Sequence, residues 1–198
     1  MLKGIDISHW QGIISWKNVP VDFAIIKCAG GDNGLYIDPM FAQNKAGVRR
    51  TNILGGYYYF AGNGDPKLEA DFFVKSVGDI QSGELLALDA ELGQSPQWCR
   101  EFLDEVSKQV GFKPLCYCPA GNGWDWSPVI QGNYGLWIAR YGLNLGYLLA
   151  SWPPKIGKWP FYTIWQYTSR GKVKGIIGNV DLDYFKYDLA TLKKYGKN

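Results

Sequence analysis

The chain has 198 residues, with 21 Lys and Arg, 18 Asp and Glu, a single His and a formal net charge of +3. A hydrophobic fraction of 46% excludes a disordered tail and is enough for one domain with its own core. The sequence lacks the concentrated basic stripe that indicates nucleic-acid binding. A single His excludes metal sites that need two imidazoles and disfavours a His-based nucleophile triad. Any acid–base chemistry must therefore come from carboxylates.

Short apolar runs separated by turn residues predict eight strands: Leu2–Ile7, Phe23–Ala29, Ile53–Phe60, Leu85–Ala90, Pro114–Tyr117, Leu136–Tyr141, Tyr162–Tyr167 and Val180–Tyr184. Several runs are almost continuously apolar, which is typical of parallel strands buried on both faces. Helical patterns lie between them at Pro39–Arg50 after Asp38, Pro66–Val77 after Asp65, and Pro96–Val110 between Ser95 and Gly111. This alternation predicts βα units around a parallel sheet.

The second half of the chain departs from a regular pattern. Trp124–Gln131 predicts a short helix, but Gly142–Lys158 is broken by Gly and Pro and has no helical period. A complete (β/α)₈ barrel usually needs about 250 residues. We therefore predict an α/β fold, an irregular TIM-like (β/α) barrel with eight strands and fewer than eight helices. It would occupy residues 1–187, with a tail over 188–198 that frays or forms a last helix, and no second module is visible.

The four cysteines are Cys28, Cys99, Cys116 and Cys118, and their spacing does not match a zinc site. We interpret them as reduced and packed in the core, with a disulfide as the less favoured alternative. No apolar run is long enough to span a membrane, and Asp6 interrupts any signal-like run near the start. Either the protein is made in the cytoplasm without a Sec signal, or the printed sequence lacks one.

Acidic residues stand at the ends of three predicted strands. Asp89 and Glu91 follow the fourth strand and point to the same face, with Cα atoms roughly 6.6 Å apart. Two carboxylates this close repel each other, so one is expected to hold a proton at neutral pH, as a general acid must. Asp6 and Asp181 lie on the first and last strands, which are neighbours in a parallel barrel. Since barrel enzymes keep their sites at the C-terminal ends of strands, the four acids should converge.

Other interpretations of these acids remain. An acid after a strand can cap the next helix or face solvent, and an acidic cluster can bind a metal through oxygen ligands. Both are less favoured for Asp89 and Glu91 because the two follow an apolar run.

Aromatic residues also stand at strand ends, in Tyr57–Phe60, at Tyr117 and in Trp165–Tyr167. Their flat faces could contact sugar rings, although most of the aromatic residues must simply pack the core.

Seven motifs, in this order, carry a resemblance to a known family: Gly4–Gly12 (GIDISHWQG), Asp22–Lys27, Gly55–Tyr59, Asp89–Glu91, Leu136–Ala139, Trp165–Tyr167 and Asn179–Asp183. With this order and spacing, the chain from Gly4 to about Phe185 resembles the glycoside hydrolase family 25 lysozymes. These are the Chalaropsis-type N-acetylmuramidases common in phage endolysins and bacterial autolysins.

The resemblance implies a flattened, irregular barrel that cuts the β-1,4 bond after N-acetylmuramic acid in peptidoglycan. No cofactor and no metal are expected, and no separate wall-binding module, which many family endolysins carry, is visible in the sequence. It implies Glu91 as general acid, with Asp89 beside it and Asp6 and Asp181 completing the cluster. The substrate-binding residues that we expect are Tyr58, Tyr59, Tyr117, Trp165, Gln166 and Asp183. Family members often have His in place of Tyr58 and Asn in place of Asp183, so contacts at these two positions could differ. The expected partner is cell-wall peptidoglycan, reached after release, with the protein as a monomer.

The group that attacks the anomeric carbon stays open: Asp181, Asp89 and the substrate's own 2-acetamido group are all candidates. A non-catalytic glycan-binding barrel is one alternative function, although a binder has no need of both Asp89 and Glu91. A chitinase-like glycosidase is another, but the D-x-x-D-x-D-x-E run typical of chitinase barrels is missing before Asp89. His9 is expected to be a structural or rim residue.

Overall fold

The computed structural model describes residues 1–119, 125–146 and 154–198. Nine strands lie in these ranges: β1 (Leu2–Ile7), β2 (Phe23–Gly30), β3 (Tyr36–Ile37), β4 (Leu54–Phe60), β5 (Leu85–Asp89), β6 (Leu115–Pro119), β7 (Gly135–Ala139), β8 (Ile164–Gly171) and β9 (Val180–Phe185). Five α-helices accompany them: α1 (Phe41–Val48), α2 (Pro66–Val77), α3 (Pro96–Val110), α4 (Ser127–Gln131) and α5 (Leu189–Lys193). All eight predicted strands are present, and only the short β3, which pairs with the end of β2, is additional.

Eight of the strands close into a barrel in the order β1–β9–β8–β7–β6–β5–β4–β2, and β1 pairs with β2 to complete it. The pairings from β1 through β2 and β4 to β8 are parallel. The last strand, β9, runs antiparallel to both β1 and β8, so the expectation that it would be parallel is wrong. The connection over 172–179 is too short for a helical crossover, and a short connection between neighbouring strands reverses the chain direction. The predicted α/β barrel with fewer than eight helices is confirmed for the described residues, as a mixed barrel.

Side-chain alternation along the strands produces two apolar layers. Phe23, Ile25 and Trp137 belong to the cluster that fills the barrel interior. Tyr57 and Phe102 belong to the larger cluster between the outer face of the barrel and the helices. Each strand side chain therefore faces either the barrel interior, where a site can open, or the outer layer, which is packed against the helices.

The helices follow the predicted capping residues closely. Asp65 accepts hydrogen bonds from two backbone N–H groups at the start of α2, and Ser95 accepts one at the start of α3. Gly111 ends α3 in the left-handed conformation, with φ of 82°. Helix α1 is two residues shorter than predicted at each end. The Asp38 carboxylate accepts from the backbone N–H of Met40, just before the helix, and from that of His9.

The predicted tail packs beneath the barrel. Asp188 caps α5, and Leu192 of this helix is fully buried in the interior cluster. The backbone N–H of Lys197 donates to the carbonyl of Glu84. In the second half, α4 begins later than predicted, and Trp124 lies outside the described residues. No helix forms in 142–146 or 154–158, the described parts of the segment predicted to lack one.

All four cysteines are buried and unpaired, so the interpretation as reduced core residues is confirmed and the disulfide alternative is wrong. Within the described ranges, no helix has the length and apolar character needed to cross a membrane.

Candidate active site

A cavity of about 460 Å³ opens at the edge of the barrel where the parallel strands end. All four predicted catalytic acids line it: Asp6, Asp89, Glu91 and Asp181. Aromatic and polar side chains complete the wall, among them Tyr58, Tyr117, Trp137, Tyr141 and Gln166. Among the residues that the structure describes, no group of three or more His, Cys, Asp or Glu side chains is arranged to hold a metal ion.

The acids occupy two opposite walls of the barrel mouth. Asp89 ends β5, and Glu91 follows two residues later. Asp6 lies near the end of β1, and Asp181 lies directly opposite it near the start of β9. Because β9 is antiparallel, its beginning lies at the same edge as the end of β1. The reversed strand therefore still delivers Asp181 to the predicted place, although by a geometry that differs from the predicted one.

Gln166 fixes the wall that carries Asp6. Its side-chain Nε2 donates to Asp6 Oδ2 at 2.6 Å, and its Oε1 accepts from the hydroxyl groups of Tyr117, at 3.0 Å, and Tyr141, at 2.7 Å. Because Nε2 and Oε1 both have hydrogen-bond partners, the Gln166 side-chain amide is held in one orientation. The carboxyl group of Asp6 is held in place by residues that come from distant parts of the chain.

Burial and mutual repulsion favour the protonated forms of this wall's acids. The pKa of Asp6 is raised well above its usual value, by burial first and then by Asp181 and Asp183, while the hydrogen bond from Gln166 opposes the rise. Burial, with a smaller contribution from Glu91, raises the pKa of Asp181 to about 6. Asp181 therefore changes charge close to neutral pH.

The opposite wall combines a buried and an accessible carboxyl group. Asp89 is buried, and its Oδ1 has no hydrogen-bond partner among the described residues. Its pKa is raised well above the usual value by burial and then by Glu91, against the lowering effect of Lys27. Glu91 lies at the solvent-facing mouth, yet the cleft desolvates it enough to raise its pKa, again opposed by Lys27. Both acids favour protonation, and only Glu91 is accessible to an incoming glycosidic oxygen.

Lys27 is a site residue that the sequence analysis missed. It is buried on β2 and faces the cavity, with its Nζ 4.1 Å from the ring centroid of Phe60 and 5.4 Å from that of Tyr36. Within the described residues, no carboxylate lies within 4.0 Å of this Nζ. Burial lowers its pKa, and the charges of Asp89 and other nearby acids oppose this. The sequence feature that could have indicated this role is a lysine at an inward-facing position of an otherwise apolar strand.

We expect Lys27→Met to shift the bell-shaped pH profile of kcat/KM to higher pH. Lys27 lowers the pKa of both Asp89 and Glu91. Loss of its charge raises both values, so the limb that needs an ionised carboxylate and the limb that needs a protonated one move in the same direction. The control is Lys45→Met, which removes another buried lysine whose Nζ donates to the carbonyls of Val77 and Asp79. A profile that stays in place in the Lys27 variant would contradict this role.

Three of the predicted substrate-binding residues do not line the cavity. Tyr59 lies in the outer layer, fully buried and stacked on Phe102 with ring centroids 5.2 Å apart. Trp165 also belongs to that layer. Since neighbours along a strand point to opposite faces, Tyr58 and Gln166 face the interior and the residues beside them cannot. Placing Tyr59 and Trp165 in the site was therefore wrong.

Asp183 lies inside the barrel below the cavity rather than on its wall. Its Oδ1 accepts from Trp137 Nε1 at 2.8 Å, while its Oδ2 is buried without a described partner in hydrogen-bond distance. Burial, together with repulsion from Asp181, raises the pKa of Asp183 to about 7. It supports the floor of the site through Trp137, and the expected direct contact with substrate is not seen in the lining of the cavity.

Asp183→Asn should stabilise the protein at alkaline pH. Because the folded-state pKa of about 7 lies above the ordinary value of 3.8, folding stability falls as pH rises between these values and stays reduced above pH 7. The Asn side chain removes the ionisation and can still accept from Trp137. We expect a gain of about 2 kcal/mol at pH 8, or about 4–8 °C in Tm, and little gain at pH 4. Thermal melts at both pH values test this, and equal gains at pH 4 and pH 8 would contradict it.

His9 and Trp10 form the rim on the side of β1. His9 Nδ1 lies 2.9 Å from Asp38 Oδ2, and its ring centroid is 4.7 Å from that of Trp10. Trp10 is 81% exposed although it lines the cavity. This placement agrees with the expected rim position of His9. Trp10 and Tyr141 were not predicted as site residues.

Comparison with known proteins identifies the family of this chain. The model of the family Glycosyl hydrolases family 25 matches residues 5–176. Lysozyme M1 of Streptomyces globisporus is 27% identical over 100% of this chain and 72% of its own length. The crystal structure of a bacterial lysozyme from Streptomyces coelicolor, also 27% identical, has a TM-score of 0.81 over 98% of this chain and 96% of that one. The catalytic domain of endolysin ply40, from bacteriophage P40 of Listeria monocytogenes, has a TM-score of 0.79 at 27% identity, over 98% of this chain and 97% of that one. Because the family model spans most of the chain, this protein belongs to glycoside hydrolase family 25.

Proposed function

We propose that this protein is a peptidoglycan muramidase, which hydrolyses the β-1,4 bond between N-acetylmuramic acid and N-acetylglucosamine. The observation that carries the proposal is the convergence of Asp6, Asp89, Glu91 and Asp181 around one open cleft. Glycosidases need two carboxyl groups that flank the scissile bond, and this cleft has a pair on each wall. Relatives named as lysozymes and a similar endolysin catalytic domain support the choice of substrate.

Glu91 is the proton donor in this proposal. Its carboxyl group is accessible at the cleft mouth, and burial raises its pKa above the usual value, which is the direction that a proton donor needs. As the glycosidic bond breaks, positive charge develops on the sugar ring. Asp181, with a pKa of about 6, is ionised at neutral pH and would stabilise this charge from across the cleft. The growing positive charge favours ionisation of Asp89 on the same wall and of Asp6 across the cleft, so their carboxylates would add to the stabilisation.

Two mechanisms are compatible with the two-wall arrangement. In one, a carboxylate, Asp181 or Asp89, or the 2-acetamido group of the substrate attacks the anomeric carbon and the configuration is retained. In the other, a water activated on the wall opposite Glu91 attacks and the configuration is inverted. Proton NMR of the first product formed from a soluble glycan separates the two, because it reports whether the new reducing end is α or β.

Mass spectrometry of borohydride-reduced peptidoglycan digests tests the proposed activity. We expect muramitol at every new reducing end. Glucosaminitol instead of muramitol would replace the assignment with a glucosaminidase. Wall binding without any new reducing ends would favour a glycan-binding barrel, and faster release from soluble chitin than from peptidoglycan would favour a chitinase-like enzyme.

A further inference from the structure

A second cavity, of about 430 Å³, continues the cleft past Glu91. It shares Glu91, Tyr117 and Tyr141 with the acidic cavity, and its remaining lining comes from the ends of β6 and β7: Pro119, Ala139, Arg140 and Gly142. Since Glu91 borders both cavities, a glycosidic oxygen placed at Glu91 has room for one sugar on each side. The second cavity therefore belongs to the same binding cleft but has a different chemical lining.

Arg140 brings a positive charge to this second cavity. It is half-buried, and its backbone is fixed at both polar atoms. Its N–H donates to the carbonyl of Gln166 at 2.9 Å, and its carbonyl accepts from Trp165 Nε1 at 2.9 Å. Gln166 is the residue that holds Asp6, so Arg140 is anchored to the same framework as the acidic wall.

The guanidinium of Arg140 is not neutralised by this chain. Among the described residues, no carboxylate lies within 4.0 Å of it, whereas Arg49 pairs with Asp79 and Glu84. The two segments outside the described ranges, 120–124 and 147–153, contain no Asp or Glu. A cation left without a counter-charge beside a cleft is available for an anionic ligand.

We propose that Arg140 is a binding site for a carboxylate of the substrate. The inference rests on the proposed muramidase function, and it adds a specificity contact for an anionic glycan. Muramic acid carries a lactyl carboxylate, which is free in peptide-stripped strands and amide-linked in the intact wall, where the stem peptide supplies other carboxylates. A planar guanidinium can hold either source through two parallel hydrogen bonds.

Charge explains why the cleft would need such a contact. The acidic cavity is lined by Asp6, Asp32, Asp89, Glu91 and Asp181, which oppose the entry of an anionic group. Its one lysine is buried over aromatic rings and faces these acids. Arg140 lies beyond Glu91, outside that negative region. The sugar placed there is the leaving N-acetylglucosamine, which has no carboxylate. It is joined to O4 of the next muramic acid, whose lactyl group on the adjacent O3 is the carboxylate source nearest to Arg140.

The test compares the wild type with Arg140→Gln, Arg140→Lys and the control Arg170→Gln, which removes an exposed arginine of β8. Three substrates are used: intact peptidoglycan, peptide-stripped strands with free lactyl carboxylates, and the same strands after their carboxylates are converted to methylamides. For Arg140→Gln on charged strands we expect a KM about tenfold higher and a kcat within about twofold of the wild type. Arg140→Lys should recover part of the loss. The control Arg170→Gln should have the KM of the wild type. On methylamidated strands the wild type and Arg140→Gln should have the same KM.

The substrate arms also identify the source of the carboxylate. A loss on stripped strands assigns the lactyl group, and a loss confined to intact peptidoglycan assigns the stem peptide. The proposal is overturned if the ratio of variant to wild-type KM on intact peptidoglycan and the ratio on stripped strands both equal the ratio on methylamidated strands. Muramitol release by the wild type would still support the muramidase function in that case. Calorimetric binding to Glu91→Gln, with and without Arg140→Gln, gives the same answer independently of turnover when it is measured with stripped strands and with soluble peptide-bearing strands. About tenfold weaker binding of at least one of the two is expected, and equal Kd values for both overturn the site.

Discussion

Glu91→Gln is expected to lower kcat by about a thousandfold on purified peptidoglycan, because a glutamine of the same shape cannot transfer a proton to the leaving oxygen. Glu91 is exposed at the cleft mouth, so its replacement should leave the fold intact. Release of reducing ends measures the activity, and a thermal melt within about 2 °C of the wild type shows that the loss is chemical.

The matched control for this experiment is Glu101→Gln, which makes the same chemical change on the outer helix α3. It should retain wild-type turnover. If Glu91→Gln kept more than about a tenth of the wild-type kcat, the proton donor would have to be another carboxyl group, and Asp89 on the same wall would be the first to consider.

Asp89→Asn is expected to lower kcat by about a hundredfold while raising stability at alkaline pH. The loss follows from removal of the carboxylate beside the developing positive charge. The gain follows from the raised pKa of Asp89, because a buried carboxyl group whose Oδ1 has no described partner is costly to ionise in the folded state. The stability that the wild type loses as pH rises is therefore regained by the amide.

Parallel assays of Asp89→Asn and Asp183→Asn separate catalysis from stability. Both substitutions remove a buried ionisable group with a raised pKa, but only Asp89 lines the cleft. We expect both to raise Tm at pH 8 and only Asp89→Asn to lose activity strongly. An Asp89→Asn variant with near wild-type kcat would show that Asp89 does not stabilise the transition state, whatever its effect on Tm.

Local sequence signals predicted most of the secondary structure. Short apolar runs predicted the strands. Asp65 and Ser95 predicted the starts of α2 and α3, and Gly111 the end of α3, because capping depends on residues adjacent in sequence. The direction of β9 was not predictable in this way. A strand has the same composition in either direction, and only its pairing with β1 and β8 defines the direction.

The set of candidate acids was likewise available before the fold. Asp6, Asp89, Glu91 and Asp181 all follow or interrupt apolar strands, and all four line the cleft. Which aromatic residues face the cleft was harder to predict. Alternation states that Tyr58 and Tyr59 face opposite sides, but it does not state which side is the interior of a closed barrel.

The sequence by itself determined the strand and helix order, the caps and the four acids, because these depend on neighbours along the chain. The tertiary structure alone decided that Gln166 holds Asp6 across a separation of 160 residues, that Lys27 faces the same cavity as Asp89, and that Arg140 lines the far side of the cleft. These contacts join strands that are remote in sequence, so no local pattern encodes them. The single His of the chain lies at the rim, and carboxyl groups whose pKa values are set by burial and by one another line the centre of the cleft.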